Sequence, residues 1–301
     1  MVTDMPQSEI QKLFADYLSY LEIEKNRSPK TRENYERYLN VFLLFAKIKT
    51  PAEITDALVR EFRMNLARRG IKKITQSYYV IALRNFLKYL GKHDIKSLSP
   101  DKIELPKTPG RQIETLAYAD LERLLAAPKG DALRDLRDKA MLELFFSTGL
   151  RLAELCALDR YLDLKRGEFS VRGKGDKIRV VFLSDSAKNA IKRYLDKRPD
   201  AEAALFVSIA RSGKIIGRIT PRSAERIVTA RALQAGIARP VHAHELRHSF
   251  ATDLLMNGAD LRSVQALLGH ANIPTTQIYT HLTDKQLHDI HTAFHGKRRD
   301  E

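Results

Sequence analysis

Residues 97–114 (SLSPDKIELPKTPGRQIE) place Pro100, Pro106, Pro109 and Gly110 within 18 positions. Proline removes a backbone donor and fixes φ, so neither a helix nor a central strand runs through such a stretch. The chain is therefore expected to fold as two domains, residues 1–98 and 115–301, joined by a linker over 99–114. At 301 residues it can bury a core in each.

Before the break the apolar period is helical. Ile10, Phe14, Leu18 and Leu21 share one face of residues 8–25. Ser28-Pro29 opens a second helix, serine as cap and proline in the first turn, carrying Tyr35, Leu39, Phe42, Leu43 and Phe45. A third helix is expected from Thr55 to Arg69, closed by Gly70, and a fourth from about Thr75 to Gly91. The first domain is thus an all-helical bundle of four, with nothing in it that resembles catalysis. Its polar faces carry Arg27, Lys30, Arg32, Arg68, Arg69, Lys72, Lys73 and Arg84.

After the break, helical patterns follow Leu116 and span Asp131 to Phe146. The break at Ser147-Thr148-Gly149 sets Arg151 at the head of another helix, with Glu154 three residues on to orient it. Residues 168–183 read as a β-hairpin around Gly173-Lys174-Gly175-Asp176, whose glycines and aspartate supply positive φ and hold Lys174 at the tip. A third β-like run covers Ala204 to Val207, and a helix from Pro221 to about Ala235 presents Arg222, Arg226 and Arg231 along one side. The second domain is expected to be mainly α with a small antiparallel β-sheet.

The charge points to a polyanion. Lys plus Arg number 52 against 37 Asp plus Glu, a net charge of +15. Residues 51–105 hold 11 basic and 6 acidic side chains and residues 151–250 hold 21 and 11, so the whole excess sits in two separate blocks. Two such blocks suit DNA gripped from two sides, with phosphate neutralisation supplying most of the affinity. The single cysteine, Cys156, excludes a disulfide framework and a Cys-based zinc site. No apolar run approaches the roughly 20 residues of a bilayer span. MVTDMPQSEIQ lacks the basic and apolar regions of a signal peptide, so a cytoplasmic, nucleoid-associated protein is expected, with no membrane partner.

The stretch from His242 to Tyr279 gathers His244, Arg247, His248 and His270 ahead of one tyrosine, with breaks at Asn257-Gly258 and Gly269. Positive and proton-carrying groups around a phenol suit phosphoryl chemistry, in which negative charge develops. His244-Glu245-Leu246-Arg247-His248 also satisfies the H-E-x-x-H pattern of zinc proteases. The extended form of that motif fails, because positions 251 and 254 are Ala and Leu, and the next glutamate after Glu245 is Glu301, so a third ligand would have to be a residue such as His270. A protease would also leave Arg151, Lys174 and Tyr279 without a task. A non-catalytic DNA-binding accessory protein is the third class, since the same basic blocks would serve it.

Gly149-Leu150-Arg151 with Glu154, a GKG hairpin lysine 23 residues later, HxLRH, LGH and a tyrosine nine residues past that histidine occur in this order. The set resembles the tyrosine recombinases, the phage integrase family, and is most similar to their Xer type. The match runs through the whole second domain, and a helical first domain agrees in size and position. By this resemblance Arg151, Lys174, His244, Arg247, His270 and the nucleophile Tyr279 are the catalytic residues, supported by Glu154 and His248. Arg27, Lys30, Arg32, Lys72, Lys73, Arg84, Arg222 and Arg226 become the candidate DNA contacts. The resemblance also implies strand exchange through a 3′-phosphotyrosyl bond and a Holliday junction, without metal, ATP or cofactor. Dimer resolution is the expected role, with integration or transposition of a mobile element as the alternative. The implied partners are a duplex recombination site and either further copies of the chain, four on synapsed DNA, or a paralogous recombinase. A last helix, residues 283–295, would dock on a neighbouring protomer. One departure is the His242-Ala243 turn, where the family commonly carries proline just before the motif histidine.

Overall fold

The computed structural model describes residues 8–105, 116–173 and 177–269. Lys174, His270, Tyr279, the span 283–295 and most of the expected linker lie outside the described residues. The chain divides into two compact units between Arg111 and Gln112.

The first unit is built from α1 (Glu9–Ile23), α2 (Pro29–Ala46), α3 (Asp56–Arg68) and α4 (Lys73–Lys92). The start signals act as their chemistry dictates. Ser28 Oγ accepts the Thr31 N–H at 3.3 Å with Pro29 in the first position, and Thr55 Oγ1 accepts that of Leu58 at 3.2 Å. Ile10, Phe14, Leu18, Leu21, Leu39 and Phe42 are all buried in one core with residues of α3 and α4. Helix α4 starts before Thr75 and runs through Gly91. Its end is set by Asp94, left-handed at φ 57°, because the Ile95 N–H turns back to the Leu90 carbonyl at 3.0 Å. Ile103 is 2% exposed and packs into the same core, so this unit takes in chain beyond residue 98.

The second unit carries α5 (Tyr118–Ala126), α6 (Leu133–Thr148), α7 (Leu152–Ala157), α8 (Asp185–Lys197), α9 (Pro221–Gln234), α10 (Ala243–Met256) and α11 (Leu261–Leu268). The unit is mainly α, as expected, and among the described residues its antiparallel β structure is two hairpins, β1 (Glu168–Arg172) with β2 (Ile178–Phe182) and β3 (Val207–Ile209) with β4 (Ile215–Arg218). The strand expected from Ala204 begins only at Val207. Ala204 makes only an isolated antiparallel bridge to Asp159, while the Arg198 guanidinium, buried at 7% exposure, takes the Ala204 and Leu205 carbonyls at 2.6 and 3.0 Å. Met141, Leu144, Phe145, Ile191, Tyr194 and Phe206 centre the core, with α6 against α8 and α10. Cys156 is buried, and burial pushes its thiol up to about 11, which makes it an inert core residue. Among the described residues no helix is long and apolar enough to cross a membrane.

Candidate active site

Helix α6 stops where Gly149 turns left-handed at φ 57°. A Cβ at this position would stand 2.8 Å from Phe250 Cε1 and 3.1 Å from Leu268 Cδ2, so only glycine lets α6 end this close to α10 and α11. Arg151 follows as the cap of α7. Its N–H donates to Glu154 Oε2 at 2.8 Å, and its guanidinium donates to Glu154 Oε1 at 2.8 Å and to the Gly269 carbonyl at 3.1 Å. From α10, Arg247 donates to the Gly149 carbonyl and, at 2.7 Å, to that of Leu268. Two arginines from distant parts of the chain thus hang on the successive carbonyls of Leu268 and Gly269. Arg247 is 2% exposed, whereas the Arg151 side chain keeps 33% of its surface open.

Arg179 of β2 is a residue that local pattern did not single out. Its side chain is 8% exposed and donates to both Glu154 oxygens, at 3.0 and 2.7 Å, and to the Leu267 carbonyl at 3.0 Å. Burial pushes the Glu154 carboxyl up. The Arg179 hydrogen bonds, followed by those from the Arg151 N–H and guanidinium, outweigh it and hold the carboxyl down to about 2. The carboxylate is therefore a fixed negative charge that spaces two arginines. Gly173, next to the hairpin tip, leaves room for this cluster. A Cβ there would come within 3.2 Å of both Arg179 Nη1 and Glu154 Oε1. Its φ is not positive, so space rather than turn geometry explains the glycine.

Arg179→Met is expected to cost about 3–5 kcal/mol, the usual result of leaving one member of a buried ion pair alone. A denaturant midpoint unchanged by this substitution would remove the argument. The Glu154 carboxyl titrates at about 2 when folded, against 4.5 when free. Its contribution is therefore whole above about pH 4.5 and disappears as pH falls toward about 2. Between those values the wild type should lose stability more steeply than Glu154→Gln.

A cavity of about 420 Å³ opens at this point, lined by Arg151, Gly173, Lys177, Arg179, Arg262 and Gly269, with no carboxylate among the described residues of its wall. Lys177 and Arg262 are further basic groups that only the folded chain places here. The His244 ring is exposed and meets the buried His248 ring edge to face, centroids 4.1 Å apart. Glu245 is turned away from both. Its Oε1 accepts the His242 N–H at 2.9 Å and its Oε2 pairs with Arg239 at 2.6 Å, so this carboxylate closes the helix start rather than serving as a zinc-site base. Ala243 takes the first helical position, where proline is otherwise tolerated, and His242 as cap pairs through Nδ1 with Glu225 at 2.7 Å. Among the described residues no group of three His, Cys, Asp or Glu side chains could hold a metal ion.

The other predicted contacts separate into two kinds. Arg27, Lys72, Lys73, Arg222 and Arg226 are exposed, and Lys30 makes only a surface pair with Glu33 at 2.6 Å. Arg32 is held between Glu22 at 3.2 Å and Glu36 at 3.1 Å, and Arg84 by Asp101 at 3.2 Å. Arg231 does not face outward with Arg222 and Arg226. Its guanidinium bonds Asp135 and Asp138, both at 2.6 Å, and ties α9 to α6. Arg222 and Arg226 line a separate groove beside β3 and β4 and do not reach the Arg151 cavity.

Residues 114–286 match the family described as the phage integrase family, and residues 14–93 match its N-terminal SAM-like domain. Tyrosine recombinase XerC of Escherichia coli O157:H7 is 37% identical over 291 residues, covering 94% of this chain and 96% of that protein. The crystal structure of XerA recombinase aligns at 31% identity with a TM-score of 0.52, over 95% of this chain and 98% of that one. The XerH site-specific recombinase, in a post-cleavage complex with palindromic difH substrate, aligns at 25% identity with a TM-score of 0.69, over 93% and 83% of the two chains. The family matches run in the same domain order and the relatives span nearly the whole chain, so the chain belongs to the phage integrase family as a Xer-type tyrosine recombinase, an enzyme that cuts and rejoins DNA strands.

Proposed function

We propose that this recombinase exchanges strands between two copies of one DNA site through a Holliday junction, and so resolves chromosome or plasmid dimers during cell division. The observation that carries the reading is the convergence of Arg151 and Arg247 on the Gly269 and Leu268 carbonyls, with Glu154 accepting from Arg151, at the wall of a basic cavity. Gly173 and Gly269 both line that cavity, and Lys174 and His270 are the residues next to them in the sequence.

The chemistry divides among these groups. Tyr279 attacks the scissile phosphorus, forms a 3′-phosphotyrosyl ester and displaces the 5′ oxygen, so the ester keeps the energy of the broken bond and rejoining needs no ATP. Arg151 forks onto the non-bridging oxygens, and Arg247 adds a second charge from the interior, where low polarity strengthens it. Lys174 protonates the 5′ oxygen. His244 and His270 hydrogen-bond the phosphate and carry protons, with His248 bracing the His244 ring and Glu154 spacing the arginines. Arg27, Lys30, Arg32, Lys72, Lys73, Arg84, Arg222 and Arg226 hold backbone phosphates. Arg32 and Arg84 do so by exchanging their carboxylate partners, which are worth little at a surface.

Four copies act on a synapsed pair of sites, each tail (residues 283–295) docked on its neighbour. Mapping the DNA that the protein binds in its host supplies the site, and exchange between two labelled duplexes carrying it tests the whole proposal. Exchange is expected in the presence of a chelator, and truncation before Thr283 is expected to abolish exchange while leaving cleavage. A chelator that stops cleavage, or a truncated chain that still exchanges strands, would contradict the respective part.

A further inference from the structure

The first unit holds a cavity in which Arg27 stands with residues that the chemistry above does not use. About 290 Å³ opens where α1, α2 and α4 meet, and its wall carries Lys25, Arg27, Lys88 and Lys92 and no carboxylate. The ammonium groups of Lys25 and Lys92 stand 5.5 and 5.2 Å from the centre of the Tyr20 ring, whose negative face steadies both at the rim. Burial, then the charges of Asp16 and Glu24, push the nearby Tyr89 hydroxyl up, so two acids also stand near this part of the wall.

Tyr17 forms part of the wall, 1% exposed, and its hydroxyl is hydrogen-bonded to nothing among the described residues. A buried hydroxyl without a partner destabilises a fold and calls for an explanation. The Asn85 amide, in the same wall, donates to the Tyr35 hydroxyl at 2.8 Å and makes no bond with that of Tyr17. A donor without an acceptor among the described residues, beside four cations, suits a multivalent anion.

We infer that this cleft binds a phosphate group, the Tyr17 hydroxyl donating to one of its oxygens and Arg27 and the lysines neutralising its charge. Phosphate offers several acceptor oxygens at once, which matches one hydroxyl and several cationic donors better than a carboxylate does. In a chain that works on DNA the phosphate is a backbone phosphodiester, and this step rests on the recombinase reading. A free phosphate ester has the same chemistry.

The test uses the full chain, a duplex oligonucleotide of arbitrary sequence, and separately inorganic phosphate. Tyr17→Phe is expected to melt at the same temperature or higher, because it removes an unsatisfied hydroxyl, and to bind duplex about ten-fold more weakly, the usual size of one hydrogen bond to a charged group. Lys88→Gln and Lys92→Gln are expected to reduce the slope of log affinity against log salt by about 0.9 for each phosphate that is no longer neutralised. Stabilisation of the wild type by inorganic phosphate, absent in Tyr17→Phe while duplex affinity is unchanged, would keep the anion site and assign it to a free phosphate ester. A lowered melting temperature for Tyr17→Phe, or unchanged duplex and phosphate binding in all three variants, would overturn the site. Binding is read here without cleavage. A wild type that forms no covalent adduct would therefore remove the recombinase reading and leave this comparison standing.

Discussion

Tyr279→Phe is expected to form no covalent adduct with a nicked duplex bearing the recombination site, while binding that duplex about as tightly as the wild type. In the wild type the nick releases the short 5′-hydroxyl fragment after cleavage, so the adduct cannot reverse and accumulates. Phenylalanine keeps the ring and its packing but has no oxygen to bond phosphorus, so the loss is complete rather than partial. The polarity of the adduct is a second reading of the same experiment. A label on the upstream fragment should travel with the protein, and the downstream fragment should carry a 5′-hydroxyl that a polynucleotide kinase can phosphorylate. Full capture by the variant would show that another group attacks, and an adduct on the downstream fragment would show that the phosphate is held the other way round.

Lys174→Ala is expected to cleave an intact duplex about 10²–10⁴-fold more slowly, the range typical of a lost general acid. An alkoxide is a poor leaving group, and a lysine ammonium can hand it a proton as the bond to phosphorus breaks. Gly173 sits against Arg179 and Glu154 at the cavity wall, with its N–H bonded to the Lys177 carbonyl at 2.8 Å. That places Gly173, the residue before Lys174 in the sequence, at the site. Replacing the bridging 5′ oxygen with sulfur makes a leaving group that departs without a proton. On that substrate the variant should recover most of the wild-type rate. A variant equally slow on both substrates would assign Lys174 to phosphate binding instead.

Much of the fold is legible in the order of the residues. The four helices of the first unit follow from apolar spacing and from Ser28 and Thr55, whose short side chains act within three residues of themselves. Such signals are local, so sequence carries them in full. Helix α4 runs past Gly91 because a tertiary choice, Ile95 folding back on Leu90, places the left-handed turn at Asp94. The strand expected at Ala204 begins only at Val207, and a buried arginine takes the carbonyls of Ala204 and Leu205. Arginines are the least legible residues of all. Arg222, Arg226 and Arg231 share one helix, yet Arg231 is tied to Asp135 and Asp138 on α6. Arg179 reads as one more basic residue on a hairpin, yet it holds both oxygens of Glu154.

Sequence alone determined the two-domain plan, the helix starts, the ordered set of chemical groups from Arg151 to Tyr279, and with them the reaction class. Those depend on residue type and on spacing within a few turns of chain. The tertiary structure decided which charges face one another. Glu154 is fixed between Arg151 and Arg179, Arg247 lies buried against Leu268, and the Tyr17 hydroxyl stands unsatisfied beside four cations. An arginine or a tyrosine has the same local signature whether it meets water, a carboxylate or nothing. Only packing sets its partner, because the partner arrives from a distant part of the chain.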